Sequence, residues 1–198
     1  GSVHDLYSLA PLMSAGIIIA APASGSGKTT VTLGILRALK AAGQMPVSVK
    51  VGPDYIDPGF HAAASSAVCM NLDSWAMQPE TFDGLVRERE CAGNIVIAEG
   101  VMGLFDGATL ERGTTAEVAQ RTGWPVVFVV DVSGMAGSVA PLVKGFAQFR
   151  AGVRICGVIA NRTGSERHAA LIADALGTIG IPLLGHLPRD QALSLPSR

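Results

Sequence analysis

The chain has 198 residues, 48% of them hydrophobic, and a formal net charge of −1. That length and apolar content suit one α/β domain with a substantial core, and they exclude disorder over most of the chain. The near-neutral charge, with no long basic run, argues against a nucleic-acid surface, and Pro, Gly or charge interrupts every apolar run before it could span a membrane.

The three cysteines, Cys69, Cys91 and Cys156, are odd in number and widely spaced. They suggest neither a disulfide framework nor a zinc site, fit a reducing cytoplasm, and read as small buried apolar residues. Residues 1–12 carry no basic n-region and read as a tag or disordered segment, with Gly1-Ser2 resembling a protease scar and Met13 a candidate start. The remainder, 13–198, shows no internal repeat or dividing linker and is expected to be one domain.

In chain order, Ile17 to Ile19 form a short strand that runs into Ala20-Ala-Pro-Ala-Ser-Gly-Ser-Gly-Lys-Thr-Thr30. Strand, glycine loop and amphipathic helix are the context of a phosphate-binding P-loop. Val31, Leu33, Ile35, Leu36 and Leu39 then mark a helix ending at Gly43. Pro46–Val51 is a second strand, followed by a polar loop and a helix of small residues from about Phe60 to Ala67. Asn71 to Trp75 reads as a loop, and a helix starting near Pro79-Glu80 is closed by Gly93-Asn94. Ile95–Ala98 is a strand leading into a glycine-rich loop to Gly107. Thr114-Thr-Ala-Glu117 has the form of a capping box, opening a helix to Thr122. Pro125–Val130, Ile155–Ala160 and Pro182–Leu187 are strands, separated by helices from about Ser138 to Arg150 and Ser165 to Gly177.

Strand and helix alternate, and several strands are apolar on both faces. The fold expected is therefore α/β, a mostly parallel, doubly wound sheet with right-handed crossovers. Ligands bind such sheets outside the carboxyl ends of the strands. The loops after residues 21, 51, 98, 130 and 160 share that edge, which collects Lys28, Thr29, Lys50, Asp54, Asp57, Glu99, Asp106, Asp131 and Asn161.

The chemistry implied there is that of a bound nucleoside triphosphate. Ser24, Gly25, Ser26 and Gly27 turn backbone N–H groups toward an anion, and Thr29 and Thr30 open a helix whose dipole favours phosphate. Lys28 reaches the β- and γ-phosphates, and the Thr29 hydroxyl suits Mg²⁺. Glu99 ends an apolar strand where a second Mg²⁺ ligand belongs, and Asp54 ends a neighbouring one; helix caps or turn residues are the alternatives. Lys50, in an otherwise interior strand, calls for a phosphate or carboxylate partner unless it is an edge lysine. Asp106, beside Met102 and Leu104, sits on a loop suited to a large, partly apolar substrate, or to a simple turn. Tyr55, Phe60 and His61 carry the same ambiguity. Asn161 can read an adenine edge with its amide or make an Asx-turn. No Ser-His-Asp or Cys-His arrangement is evident, so the site suits positioning and charge neutralisation in phosphoryl transfer.

The blocks Lys50-Val-Gly-Pro-Asp-Tyr-Ile-Asp-Pro58, Asn71-Leu-Asp73, Glu99-Gly-Val-Met-Gly-Leu-Phe-Asp-Gly107 and Leu195-Pro-Ser-Arg198, with the P-loop, resemble the cobyrinic or hydrogenobyrinic acid a,c-diamide synthase family. The resemblance runs from about residue 15 to the end. It implies a dethiobiotin synthetase-like P-loop NTPase topology, which accounts for Pro22 where the usual pattern has its first glycine. Ala23 stands where the related partitioning ATPases carry a signature lysine, which disfavours them.

The resemblance implies ATP- and Mg²⁺-dependent amidation of the a- and c-side-chain carboxylates of a corrin macrocycle. The route is an acyl phosphate, with ammonia supplied from glutamine by a C-terminal glutamine amidotransferase domain, which is expected to lie outside these 198 residues. It also implies roles. Lys28 and the loop amides hold phosphates, while Thr29, Asp54 and Glu99 hold Mg²⁺. Lys50 neutralises the developing charge. Tyr55, Asp57, Phe60, His61, Met102 and Asp106 line the macrocycle side, with Asp106 orienting the carboxylate or receiving a proton from ammonia. Asn161 reads adenine. The alternatives are a related carboxylate ligase acting on another tetrapyrrole, or a P-loop nucleotide switch or binding module. A homodimer is compatible with the sequence.

Overall fold

The computed structural model describes residues 16–91 and 95–190. The N-terminal segment 1–12, Met13, the helix-closing Gly93-Asn94 and the Leu195–Arg198 block lie outside the described residues. Seven strands form one sheet: β1 (Gly16–Ala20), β2 (Pro46–Val51), β3 (Met70–Leu72), β4 (Ile95–Gly100), β5 (Val126–Asp131), β6 (Ile155–Thr163) and β7 (Leu183–Pro188). Their order is β3-β2-β4-β1-β5-β6-β7, and each described pairing is parallel.

Among the described residues six helices cover the sheet: α1 (Lys28–Ala41), α2 (Asp57–Ser65), α3 (Pro79–Glu90), α4 (Thr115–Thr122), α5 (Val139–Phe149) and α6 (Glu166–Gly177). On one face α1 and α2 bury Val31, Leu36 and Ala64 against Ile19, Ile97, Val127 and Val129. On the other, α3 to α6 supply Phe82, Val118, Val139, Val143, Ile172 and Leu176 against Ile18, Val49, Val96, Phe128 and Val158. Alternate residues of one strand serve opposite cores, so the strands read as continuous apolar runs. Among the described residues, no helix is long and apolar enough to cross a membrane.

Three local differences from the sequence reading bear on the site. First, α2 starts at Asp57, three residues before the expected Phe60. Asp54 Oδ1 accepts from the Ile56 and Asp57 N–H groups at 2.9 and 3.0 Å, and Pro58 sits in the first turn, where its missing N–H costs nothing. Second, Asn71 and Leu72, read as the start of a loop, belong with Met70 to a short edge strand beside β2. Its Asn71 Nδ2–H donates to Asp54 O at 2.9 Å, which ties the edge to the loop after β2. Third, the Thr114 hydroxyl caps α4 at the Glu117 N–H as expected, but Glu117 Oε2 accepts from Ser74 O–H and Gly113 N–H rather than closing a reciprocal box. The cysteines also differ: Cys69 and Cys156 are half-buried and Cys91 is exposed.

A candidate nucleotide and cation site at the strand ends

The parallel register lines up the strand ends that carry the charged residues. Lys50 pairs with Glu99 across β2 and β4, and Ile19 of β1 pairs with Glu99 from the other side. Loop 21–27 leaves β1 there. Gly25 and Gly27 have φ of 78° and 92°, the left-handed region that favours glycine. Gly27 is constrained twice, since a Cβ would overlap Asn161 Nδ2. Asn161 Nδ2–H donates to Ser26 O at 3.0 Å, and its Oδ1 accepts from Arg162 N–H, so the end of β6 clamps the loop. The Ser26 hydroxyl braces the loop from within by donating to Ala23 O at 2.9 Å.

The loop borders a cleft of about 400 Å³. Ser24, Gly25, Gly27, Lys28, Thr29, Thr30, Lys50, Asp57, Glu99 and Asn161 line it, together with Val101, Arg162, Pro188, Arg189 and Asp190. Lys28 is buried and its ammonium donates to Ala23 O at 3.3 Å. Burial pushes the Lys28 pKa down, against the opposing charge of Glu99.

Below the loop lies a buried charge network. Lys50, Asp57 and Glu99 are each 1% exposed and His61 is 0% exposed. Lys50 Nζ lies 2.5 Å from Asp57 Oδ2, 2.8 Å from Glu99 Oε1 and 3.5 Å from Asp54 Oδ2. Glu99 Oε1 also accepts from the Thr29 hydroxyl at 2.6 Å, and Glu99 Oε2 meets His61 Nε2 at 2.7 Å. Thr29 Oγ1 lies 3.5 Å from Asp57 Oδ2. His61 Nδ1 faces Cys69 Sγ at 3.6 Å.

The charges hold one another ionised. Burial opposes the Glu99 carboxylate, but the His61 hydrogen bond and the Lys50 charge outweigh it and hold the pKa to about 2. Burial likewise opposes the His61 imidazolium, yet its bonds to Cys69 and Glu99 push it up to about 9. Lys50 is raised despite burial, by the charge of Glu99 and the bond to Asp57. Asp54, partly buried, is lowered by the two N–H groups it accepts from. Among the described residues no group of three or more His, Cys, Asp or Glu side chains is arranged to hold a metal ion by itself. The Thr29 hydroxyl beside Glu99 Oε1 and Asp57 Oδ2 instead offers the few hard oxygens that Mg²⁺ takes alongside phosphate and water, and in that sense the residues present fit such an ion.

Several site residues sit differently from expectation. Asp57 and His61, expected on the macrocycle side, are buried within this network because α2 begins at Asp57 and places both on its inner face. Tyr55 and Met102 are exposed on the loops after β2 and β4, and Phe60 is exposed on α2. The two loops touch, since a Cβ on Gly52 would lie 3.1 Å from the Val101 side chain. Asp106 is exposed on the second loop, where its Oδ2 accepts from Gly103 N–H at 3.0 Å. Leu104 N–H donates to Ala21 O at 2.9 Å and fastens that loop to the P-loop. Asp131, collected on the same edge, pairs with Arg162 at the rim. Arg162, Pro188, Arg189 and Asp190 were missed. The carboxyl-edge rule, extended to the end of β6 and to the end of β7 with the residues that follow it, would have found them.

The family "CobQ/CobB/MinD/ParA nucleotide binding domain" matches residues 17–198. The chain belongs to this family. It is similar to the hydrogenobyrinate a,c-diamide synthase of Brucella ovis, 56% identical over 184 residues, which are 92% of this chain and 42% of that protein. The Sinorhizobium sp. protein of the same name is 50% identical over 183 residues, again 92% of this chain and 42% of that protein. The chain thus spans about two fifths of the length of these relatives.

Among solved structures, chloroplast FtsY from Physcomitrella patens matches with a TM-score of 0.58 at 16% identity, covering 86% of this chain and 57% of that one. The signal recognition particle receptor FtsY from Elizabethkingia anophelis matches at 0.57 and 14%, covering 92% and 62%. At such identity the likeness speaks to the fold, and that fold is the P-loop NTPase α/β sheet.

Proposed function

We propose that this chain is the ATP- and Mg²⁺-binding part of an a,c-diamide synthase acting on hydrogenobyrinic or cobyrinic acid in cobalamin biosynthesis. One observation carries the reading: the P-loop lines one cleft together with half-buried Thr29 and buried Lys50, Asp57 and Glu99. Resemblance to named hydrogenobyrinate a,c-diamide synthases supplies the substrate.

In this reading Lys28 and the N–H groups of Ser24 to Thr30 hold the phosphates, and Asn161 faces the base with the amide valences the P-loop leaves it. Thr29, Glu99, Asp54 and Asp57 hold Mg²⁺, which when bound neutralises phosphate charge. Lys50, released from part of its carboxylate cage, meets the transferring phosphoryl group as a point charge. A side-chain carboxylate of the substrate attacks the γ-phosphorus, the acyl phosphate forms, and ADP leaves. Ammonia then attacks the acyl carbon, phosphate departs, and Asp106 orients the carboxylate or takes the proton. Tyr55, Phe60 and Met102 pack against the macrocycle. The greater length of the relatives supports a further glutamine amidotransferase domain as the ammonia source. Self-association of the chain as a homodimer and a cytoplasmic setting belong to the same proposal.

Calorimetric titration of the chain with Mg²⁺-ATP, and then with each of the two acids, tests this. Binding of ATP followed by one corrinoid is expected. ATP binding with no heat from either acid at high concentration removes the macrocycle and favours a related carboxylate ligase or a nucleotide switch.

A further inference from the structure

His61 lies on an inner face of the fold with no exposed surface, yet both of its ring nitrogens are engaged. A carboxylate can only accept, so the 2.7 Å contact with Glu99 Oε2 puts a proton on Nε2. The ring is fixed in turn. It hangs from α2, its Nδ1 faces Cys69 Sγ, and its own carbonyl accepts from the Ser65 hydroxyl at 2.9 Å. Glu99 therefore divides its two oxygens. Oε1 faces the cleft, toward Thr29 and Lys50, and Oε2 is turned inward and held by His61.

We infer, on the proposed reading of Thr29 and Glu99 as a magnesium-facing pair, that His61 is a positioning residue: it anchors Glu99 Oε2 so that Oε1 is presented beside the Thr29 hydroxyl. A carboxylate free to rotate about its last bond presents its oxygens in many ways, and the one held here leaves Oε1 2.6 Å from Thr29. Groups behind a metal ligand that fix its orientation typically change metal affinity 10- to 100-fold when removed. A histidine kept for packing alone leaves unexplained why its donor is aimed at the Glu99 oxygen that does not face Lys50. Lys50 cannot take over the task, because its ammonium already bridges Glu99 Oε1 and Asp57.

The test compares wild type, His61→Leu and His61→Gln in the 198-residue chain. The glutamine amide reaches about as far as Nε2 and keeps an N–H donor. ATP affinity is measured with excess EDTA and across a Mg²⁺ series, with thermal unfolding alongside. The expected result is a Mg²⁺ midpoint displaced roughly 10- to 100-fold in His61→Leu. EDTA-state affinity should stay within about twofold, and His61→Gln should recover most of the shift. An unchanged Mg²⁺ midpoint in His61→Leu overturns the positioning role while leaving the proposed function standing. Equal loss in EDTA and in Mg²⁺, or failure of His61→Gln to recover, reduces His61 to a structural role and also overturns it. A wild-type chain whose ATP affinity ignores Mg²⁺ removes the proposed function itself, and the inference with it.

Discussion

The same kinds of side chain meet at the carboxyl ends of β2 and β4 as at the ends of β5 and β6, with opposite consequences. Under the P-loop, Lys50, Asp57, His61 and Glu99 are sealed from water and each charge depends on the next. Across the cleft, Asp131 pairs with Arg162 at the rim, with side chains 27% and 45% exposed. A pair in water gains little, because solvent screens it and two long side chains lose freedom to hold it. Buried charges are costly to bring together and costlier to separate, since a lone charge left inside cannot be rehydrated. The difference teaches where the fold has invested. The β2–β4 side keeps an expensive network that packing alone would not require, whereas the β5–β6 side contributes shape, chiefly the Asn161 clamp on the loop.

The comparison breaks most visibly at Lys50. Lys50→Met keeps the length and apolar stem but removes the cation among Asp54, Asp57 and Glu99. Loss of one partner from a buried network costs about 3–5 kcal/mol. Urea unfolding of Lys50→Met should show a deficit of that order. A deficit under about 1 kcal/mol would mean that water reaches the cluster and that the contrast between the two sides is false.

Proton linkage gives the next largest effect, and it acts on both limbs of the pH profile. His61 is raised from its ordinary value of 6.5 to about 9. Its contribution is complete below 6.5 and is lost as pH rises through 9. Glu99 is lowered from 4.5 to about 2, so its contribution is complete above 4.5 and is lost as pH falls through 2. Because the two groups titrate against each other, the limbs belong to the pair. Stability should therefore be flat between about pH 5 and 6.5 as far as this pair is concerned, and decline on either side. In His61→Gln the alkaline limb between 6.5 and 9 should flatten. Thermal unfolding at half-unit pH steps reads this directly, and an alkaline limb identical in the variant would show that other groups cause it.

Residue by residue, the limits of the sequence reading fall on that same side. The alternation of elements, the shared strand edge, and the places of Lys28, Thr29 and Glu99 follow from apolar runs and glycine spacing, which are local properties of the chain. Asp57 was misplaced by one boundary. With the helix begun at Phe60, Asp57 falls in the preceding loop and only His61 lies in the helix; begun at Asp57, the two are four residues apart on one helical face. The earlier start was signalled by Pro58 and by Asp54, whose carboxylate caps the first N–H groups. Met70–Leu72 is too short for any period to reveal, and it is a strand because β2 offers it an edge. The division of Glu99 between Thr29 and His61 depends on contacts 70 and 38 residues apart, which no local pattern encodes.

The smallest effect lies on the exposed side, and its smallness is what it tests. Asp131 Oδ1 accepts from Ser133 N–H at 3.0 Å, while Oδ2 holds Arg162. Asp131→Asn can keep the first bond, because its amide oxygen still accepts, and gives up the charge of the second. Arg162 is left half in water, where its guanidinium is rehydrated without penalty. The expected change in unfolding free energy is therefore about 1 kcal/mol or less, fading further in 0.5 M salt, where charges at this separation are screened. A loss comparable to that of Lys50→Met would mean that Arg162, which also borders the cleft, is fixed by Asp131 as tightly as Glu99 is by His61. The β5–β6 side would then have to be read as a second charged wall of the site rather than as its frame.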